Sequence, residues 1–230
     1  MALNVVDRID GAVAVRHVLV SVSDKTGLEA LVPALARINP RVRLYSTGGT
    51  FDALRRILGP DPAAGRLVQV SEYTGQPEMQ GGLVKTLDFK IYLGLLSETY
   101  NPAHAADLQR VRAVAFDLVV VNLYPFRQTV AKPGATPEQA RANIDIGGPC
   151  MVRAAAKNFL RVGAVTDPAD YPGLVAELEA NHGRLSLQTR YALARKAFAH
   201  TAAYDAAIAE YLATCPFERV RGTYTVTEPT

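Results

Sequence analysis

The sequence predicts an α/β fold, a doubly wound parallel sheet with a helical C-terminal part. Three observations predict it. Short apolar, β-branched runs alternate with segments of helical apolar spacing, which is the order of successive βα units. The strand candidates are apolar at consecutive positions, as strands buried on both faces are, and Leu118-Val119-Val120-Val121 is the plainest of them. The last part of the chain is long, Ala-rich and without turn signals, which reads as helix.

The elements follow in order. Residues 1–16 form a polar lead-in. His17–Val22 is the first strand and empties into Ser23-Asp24-Lys25-Thr26-Gly27, before a helix over Leu28–Arg37. Val42–Tyr45 is the second strand and ends in Ser46-Thr47-Gly48-Gly49-Thr50. The next helix, Phe51–Leu58, is broken by Gly59-Pro60-Asp61-Pro62. Leu67–Val70 is the third strand. Ser71–Leu87 is loop-rich, with Gly75, Pro77, Gly81 and Gly82, and Lys90–Leu96 is apolar enough to be a strand or a short helix. His104–Arg112 reads as helix and Phe116–Leu123 as the fourth strand. Thr136-Pro137 is a helix start, with a capping threonine and a proline at the first position. Val162–Val165 is the fifth strand. Tyr171–Ala180 and Gln188–Leu212 are helices, and Pro216–Thr230 is expected to be a mobile tail. The predicted organisation is therefore a lead-in (1–16), one domain (17–215) and a tail (216–230).

Composition excludes several classes. The chain has 230 residues, 49% of them apolar, enough for a real core. No apolar run reaches the ~18 residues of a membrane span, and the N-terminus lacks the basic-then-apolar order of a signal peptide, so no membrane association is expected and the cytoplasm is the expected location. The net charge of +3 is small and its basic residues are scattered, so nucleic acid is not an expected partner. Cys150 and Cys215 make no zinc pattern, and His17, His104, His182 and His200 show no ligand spacing, so no metal site is expected.

The chemistry lies where strands end. Ser21–Gly27 and Ser46–Thr50 each lead from a strand into a helix, and their amides, hydroxyls and Lys25 suit a phosphate. Taken singly, each also fits an ordinary capped βα turn. Neither has the Walker spacing, so ATP is not implied. Gly81-Gly82-Leu83-Val84-Lys85-Thr86 offers a lysine after a double glycine. The strong strand ends in Asn122-Leu123-Tyr124-Pro125-Phe126, a phenol fixed by a proline. Asn143-Ile144-Asp145-Ile146-Gly147-Gly148-Pro149 supplies a carboxylate and two glycines at a helix start. Arg153 and Lys157 then fall four apart on one face of an Ala-rich helix. Together these are parts for acid–base chemistry beside an oxyanion hole.

In combination and order, these segments resemble the IMP cyclohydrolase domain of the bifunctional purine-biosynthesis protein, AICAR transformylase/IMP cyclohydrolase. Glu72-Tyr73-Thr74-Gly75, Pro77-Glu78-Met79 and Asp167-Pro168-Ala169-Asp170-Tyr171 extend the resemblance, which runs from about Val18 to about Leu212. It implies a methylglyoxal-synthase-like doubly wound domain. It also implies closure of the formamido derivative of aminoimidazole carboxamide ribotide to IMP with loss of water, in de novo purine biosynthesis. As a stand-alone chain or a separated domain it would be a hydrolase of the cyclic-amidine class. The resemblance implies that Lys85 and the amides around Asp145, Ile146 and Gly147 hold an oxyanion, while Tyr124, Asp145 and Lys157 orient the carboxamide and move protons. It places Ser23, Lys25, Thr47, Gly49, Thr50 and Thr86 on the phosphate and ribose, with Ser21, Gly48 and Asn122 in the same binding set. No cofactor is implied, because the ring closure is intramolecular. A homodimer, and a separate transformylase or formate-ligase partner, are left open.

One loop departs from the family. Leu83 stands where an arginine that contacts the ligand belongs, Asp88 and Phe89 replace His-Pro, and Tyr92-Leu93 replaces His-Gly. Lys90 and Arg127 are the candidates to replace the lost cation. These departures keep two alternatives in view: a divergent enzyme on a related imidazole ribotide (or one making methylglyoxal), and a non-catalytic purine-nucleotide-binding module.

Overall fold

The computed structural model describes residues 5–60, 65–77 and 85–227. Its strands in chain order are β1 (Ala12–Ala14), β2 (His17–Val22), β3 (Arg43–Ser46), β4 (Leu67–Gln69), β5 (Leu118–Asn122), β6 (Gly163–Val165) and β7 (Arg184–Ser186). The helices are α1 (Leu28–Ile38), α2 (Gly48–Leu58), α3 (Val70–Thr74), α4 (Phe89–Leu96), α5 (Pro102–Arg110), α6 (Phe126–Val130), α7 (Pro137–Ala142), α8 (Gly147–Lys157), α9 (Tyr171–Ala180), α10 (Leu187–Thr214) and α11 (Phe217–Arg221).

Five strands form a parallel sheet in the order β4-β3-β2-β5-β6. The chain steps outward from β2 through β3 to β4, then returns to the other side of β2 for β5 and β6. The winding therefore reverses between β2 and β5, and ligands of such sheets bind where the strands end beside that reversal. The register pairs Val20 with Ser46 on one side and Val22 with Asn122 on the other, which brings the three hydroxyl- and amide-bearing strand ends to one edge.

The unbroken apolar runs are explained by burial on both faces. Leu19, Val119 and Val121 pack into one core with α4, α8 and α10. Val18, Val20, Leu118 and Val120 pack into the other, with α1, α2 and α9. The opposite edge of the sheet is tied by a buried ion pair. Arg161 Nη1 donates to Asp117 Oδ1 at 3.0 Å, while the amides of Arg16 and His17 donate to Asp117 Oδ2, both at 2.9 Å. Arg161 Nη2 donates to the carbonyls of Gly94 and Phe116, and Nε to that of Ser97. Both charges are thus paired and hydrogen-bonded, the condition for keeping an ion pair inside a protein.

The structure resolves the lead-in and the Lys90–Leu96 run and corrects one expectation, that of a mobile tail. The lead-in is not all coil: β1 pairs antiparallel with β7, Ala12 opposite Ser186. Arg190 anchors this ribbon, its buried guanidinium donating to the carbonyls of Asp10, Leu185, Phe159 and Leu160. The ambiguous Lys90–Leu96 run is helical, because Asp88 caps α4 by accepting the Lys90 amide at 2.8 Å and Ile91 and Leu95 bury one face. The supposed mobile tail is attached. α11 follows Pro216, Arg219 donates to the Ala135 carbonyl, and the Tyr224 hydroxyl donates to Glu138 at 2.6 Å. Among the described residues no helix is long and apolar enough to cross a membrane.

Candidate active site

A cavity of about 550 Å³ opens at the C-terminal edge of β2, β3 and β5. Its first wall is the end of β2 and the loop after it, which contribute Ser21, Ser23 and Lys25. The loop is held by Asn122, whose Oδ1 accepts the amides of Ser23 and Asp24 at 2.7 and 2.8 Å and whose Nδ2 donates to the Asp24 carbonyl at 2.8 Å. Asp24 turns back on Thr26, accepting its hydroxyl (2.6 Å) and its amide (2.9 Å), and these two bonds hold the Asp24 carboxyl below its ordinary range. Gly27 closes the loop at a φ of 78°, a conformation that favours glycine.

The second wall is the start of α2, with Thr47 and Gly49 on the cavity. Thr47 does not cap the helix with its side chain, so first-turn amides remain for a ligand, with the positive end of the helix dipole behind them. Thr50 also lines the cavity, but its hydroxyl donates to the Val22 carbonyl (3.0 Å) and accepts the Val22 amide (3.2 Å). It splices α2 to β2, and its one proton is committed there.

The far wall carries Lys85, Thr86, Tyr124, Asp145, Ile146 and Gly147. Glycines bring these groups close to backbone. A Cβ on Gly48, whose φ is 48°, would stand 2.8 Å from Lys85 Nζ. One on Gly147 would stand 2.9 Å from Thr86 Oγ1, and one on Gly148 only 2.5 Å from Asp145 Oδ2. The two glycines at the start of α8 are therefore needed for close contact with Thr86 and Asp145. Asp145 Oδ1 accepts the Gly148 amide at 2.8 Å. Burial raises the Asp145 pKa, and the amides of Gly148 and Tyr124 pull it back down. Tyr124 itself is 43% exposed, at the mouth.

Of the sequence-derived site residues, Ser21, Ser23, Lys25, Thr47, Gly49, Thr50, Lys85, Thr86, Asn122, Tyr124, Asp145, Ile146 and Gly147 line this one cavity. Gly48 lies against the Lys85 ammonium. Lys157 is the exception. It is exposed at the last position of α8, and a rise of 1.5 Å per residue sets it about 15 Å along the axis from Gly147. Its neighbour in the motif, Arg153, stacks on Phe198, with Cζ 5.4 Å from the ring centroid. Neither candidate for the lost cation fronts the cavity. Lys90 Nζ donates to the Tyr73 carbonyl at 3.0 Å, and Arg127 donates to the Ala203 carbonyl at 3.1 Å. Arg127 instead lines a neighbouring cavity of about 570 Å³ on the far side of the Tyr124-Pro125 turn, beside Pro168 and His200. Among the described lining residues, Lys25 and Lys85 are the cations and Asp145 the carboxylate. Leu83, with Gly81, Gly82, Glu78 and Met79, lies outside the described residues.

Sequence reasoning missed two kinds of residue. Leu87, Ile144 and Met151 give the cavity apolar wall, and only their places beside the motifs could have marked them. Tyr204 stands behind the cavity on α10. Its hydroxyl accepts the Asp145 amide at 2.8 Å and donates to the Asn143 carbonyl at 2.9 Å. No sequence signal separates it from the other core tyrosines.

Fold and cavity together define a doubly wound domain whose cavity, at the sheet reversal, is lined by two lysines and a half-buried carboxylate. Residues 27–150 match the MGS-like domain, and residues 155–228 match the AICARFT/IMPCHase bienzyme. The chain belongs to the MGS-like family, in the form that continues into the AICARFT/IMPCHase bienzyme sequence. It is 47% identical over 210 residues to the bifunctional purine biosynthesis protein PurH of Neisseria meningitidis serogroup A, covering 91% of this chain and 38% of that protein. It is 45% identical over 199 residues to PurH of Leptospira biflexa, covering 86% and 37%. The chain thus spans less than two fifths of these curated relatives. Among solved structures, one described as the crystal structure of ForH superposes with a TM-score of 0.72 at 32% identity, covering 86% of this chain and 100% of that one.

Proposed function

We propose that the chain is an IMP cyclohydrolase, which closes 5-formamidoimidazole-4-carboxamide ribotide to IMP with loss of water. The observation that carries this reading is the division of one cavity into two chemistries. At one end stand Ser23, Lys25, Thr47 and the start of α2, all suited to a phosphate. At the other stand Tyr124, Asp145 and the start of α8, with the Lys85 ammonium between the two ends, against Gly48 of α2. A ribotide joins a phosphate to a reacting base through a rigid sugar, and the two ends match that division.

In this reading the pocket folds the carboxamide nitrogen against the formyl carbon. The Asp145 carboxylate accepts a proton from that nitrogen as the N–C bond forms. The formyl oxygen becomes an oxyanion, held by the Lys85 ammonium and the amides of Ile146 and Gly147. Tyr124 protonates that oxygen to a hydroxyl, Asp145 returns to it the proton taken from the carboxamide nitrogen so that it departs as water, and the formamido nitrogen gives its proton back to the Tyr124 phenolate, which leaves the C=N bond of the closed ring. One water is lost and no redox change occurs. Lys157 takes no part, since α8 carries it away from the reacting end. Membership of a family whose relatives are named as purine biosynthesis proteins supports the same reading. A transformylase-type activity in the same or another chain would supply the formylated ribotide.

The test is to add purified protein to the formamido ribotide and follow the ultraviolet change of IMP formation. Turnover in proportion to protein supports the reading. Tight IMP binding without turnover would replace it with the nucleotide-binding alternative.

A further inference from the structure

We infer that Tyr204 is the positioning residue of this site, holding the Asn143–Asp145 loop so that the Asp145 carboxylate meets its substrate. The inference rests on the proposed role of Asp145 and adds a residue outside the cavity to it. Tyr204 lies on α10, in the C-terminal helical part, while Asp145 lies in the loop between α7 and α8. A single hydroxyl joins them twice, accepting the Asp145 amide at 2.8 Å and donating to the Asn143 carbonyl at 2.9 Å. The hydroxyl thereby closes a clamp across the backbone on either side of Ile144.

Two features make this clamp matter for position. The loop's other anchors are local or on the carboxylate itself: the Asn143 and Ile144 amides return to Ala140 and Arg141 of α7, Asn143 Nδ2 donates to the Gln139 carbonyl at 2.9 Å, and the Asp145 carboxylate accepts the amides of Gly148 and Tyr124. The clearance on the carboxylate is also small, because Gly148 has no room for a Cβ beside Asp145 Oδ2. A shift of the loop by a few tenths of an ångström changes both the carboxylate's contact with α8 and its aim into the cavity. The Tyr204 ring is itself fixed, buried and edge-on to Phe126 with centroids 6.3 Å apart. The MGS-like match ends at residue 150, and Tyr204 falls in the segment that matches the bienzyme. The C-terminal helix thus supplies a working part of a site whose lining comes from the preceding segment.

The test is Tyr204→Phe, which keeps the ring and removes both hydrogen bonds. Turnover of the formamido ribotide should fall in kcat by at least tenfold, with KM changed by less than threefold. The acidic limb of the kcat profile should move to lower pH, because a loosened loop lets water reach a carboxylate whose pKa burial now raises. Other titratable groups around this carboxylate are Tyr124 and Lys85 on the cavity and Asp205 beside Tyr204, and the substitution leaves all three in place. Phe126→Leu loosens the same ring without touching the clamp, and it should lower thermal stability while leaving the limb where it is. An unchanged kcat and limb in Tyr204→Phe, or an equal shift in Phe126→Leu, would overturn the inference. Asp145→Asn separates the two readings: if that variant keeps parental turnover, the role of Asp145 fails first. Hydrogen exchange of the parent covers the case of a variant that does not fold. The Asp145 amide should exchange at least tenfold more slowly than the amide of Ile146, and equal rates would overturn the clamp.

Discussion

Asn122 points into the cavity region, yet its side chain is occupied with the protein. Its amide group makes three hydrogen bonds to the Ser23-Asp24 backbone, at 2.7, 2.8 and 2.8 Å. Asn122→Ala removes all three. At about 1 kcal/mol net for each, roughly 3 kcal/mol of loop ordering is lost. Little of it should appear in global stability, because the loop can open without unfolding β2. It should appear in phosphate binding, since the loop must then be ordered by the ligand. At 1.4 kcal/mol per factor of ten, IMP should bind up to about 100-fold more weakly. Inosine, which lacks the phosphate, should lose less than threefold. Calorimetric titration of both ligands into parent and variant decides it. Equal losses for IMP and inosine, or an IMP affinity within threefold of the parent, would refute the brace.

Lys85→Ala should lower kcat by roughly 100-fold or more with a modest change in KM, because an oxyanion contact acts mainly in the transition state; steady-state kinetics checks it, and a kcat within about threefold of the parent would remove Lys85 from the chemistry. Asp145→Asn should abolish turnover and yet raise the melting temperature near pH 8. Burial raises the folded-state pKa of Asp145, so its contribution to stability is present below its unfolded pKa and is lost as pH rises through the folded one. The advantage of the asparagine variant should therefore shrink as pH falls through the carboxylate range, which melting curves at several pH values will show. Asp117→Asn should do the reverse, costing about 3–5 kcal/mol by stripping the buried Arg161 of its counter-charge. That is a fall of roughly 6–20 °C in melting temperature for a domain of this size, while the nucleotide affinity of the folded protein stays within threefold.

The sheet was legible because burial on both faces writes itself as unbroken apolar runs, and each of the five runs is a strand of the parallel sheet. The ribbon of β1 and β7 was not, because three-residue strands such as Ala12–Ala14 show no period and their partner lies near the other end of the chain. Residues that line the cavity were legible where they cluster at strand ends, as at Ser21–Lys25 and Ser46–Thr50. Lys157, which the family resemblance places in the site, lies at the last position of α8, about 15 Å along the helix axis from Gly147. Asn122 and Thr50 were legible as site residues, but their commitment to Ser23, Asp24 and Val22 is visible only in the hydrogen bonds. Tyr204 was hidden altogether, since its hydroxyl meets a loop far away in sequence.

The most direct test of the central claim is ring closure of a formamido ribotide labelled with ¹⁸O in its formyl group. The expected product is unlabelled IMP, with the label released into water, at a rate proportional to the protein and lost in Asp145→Asn. No IMP above the protein-free rate, or equal rates for parent and Asp145→Asn, would contradict it.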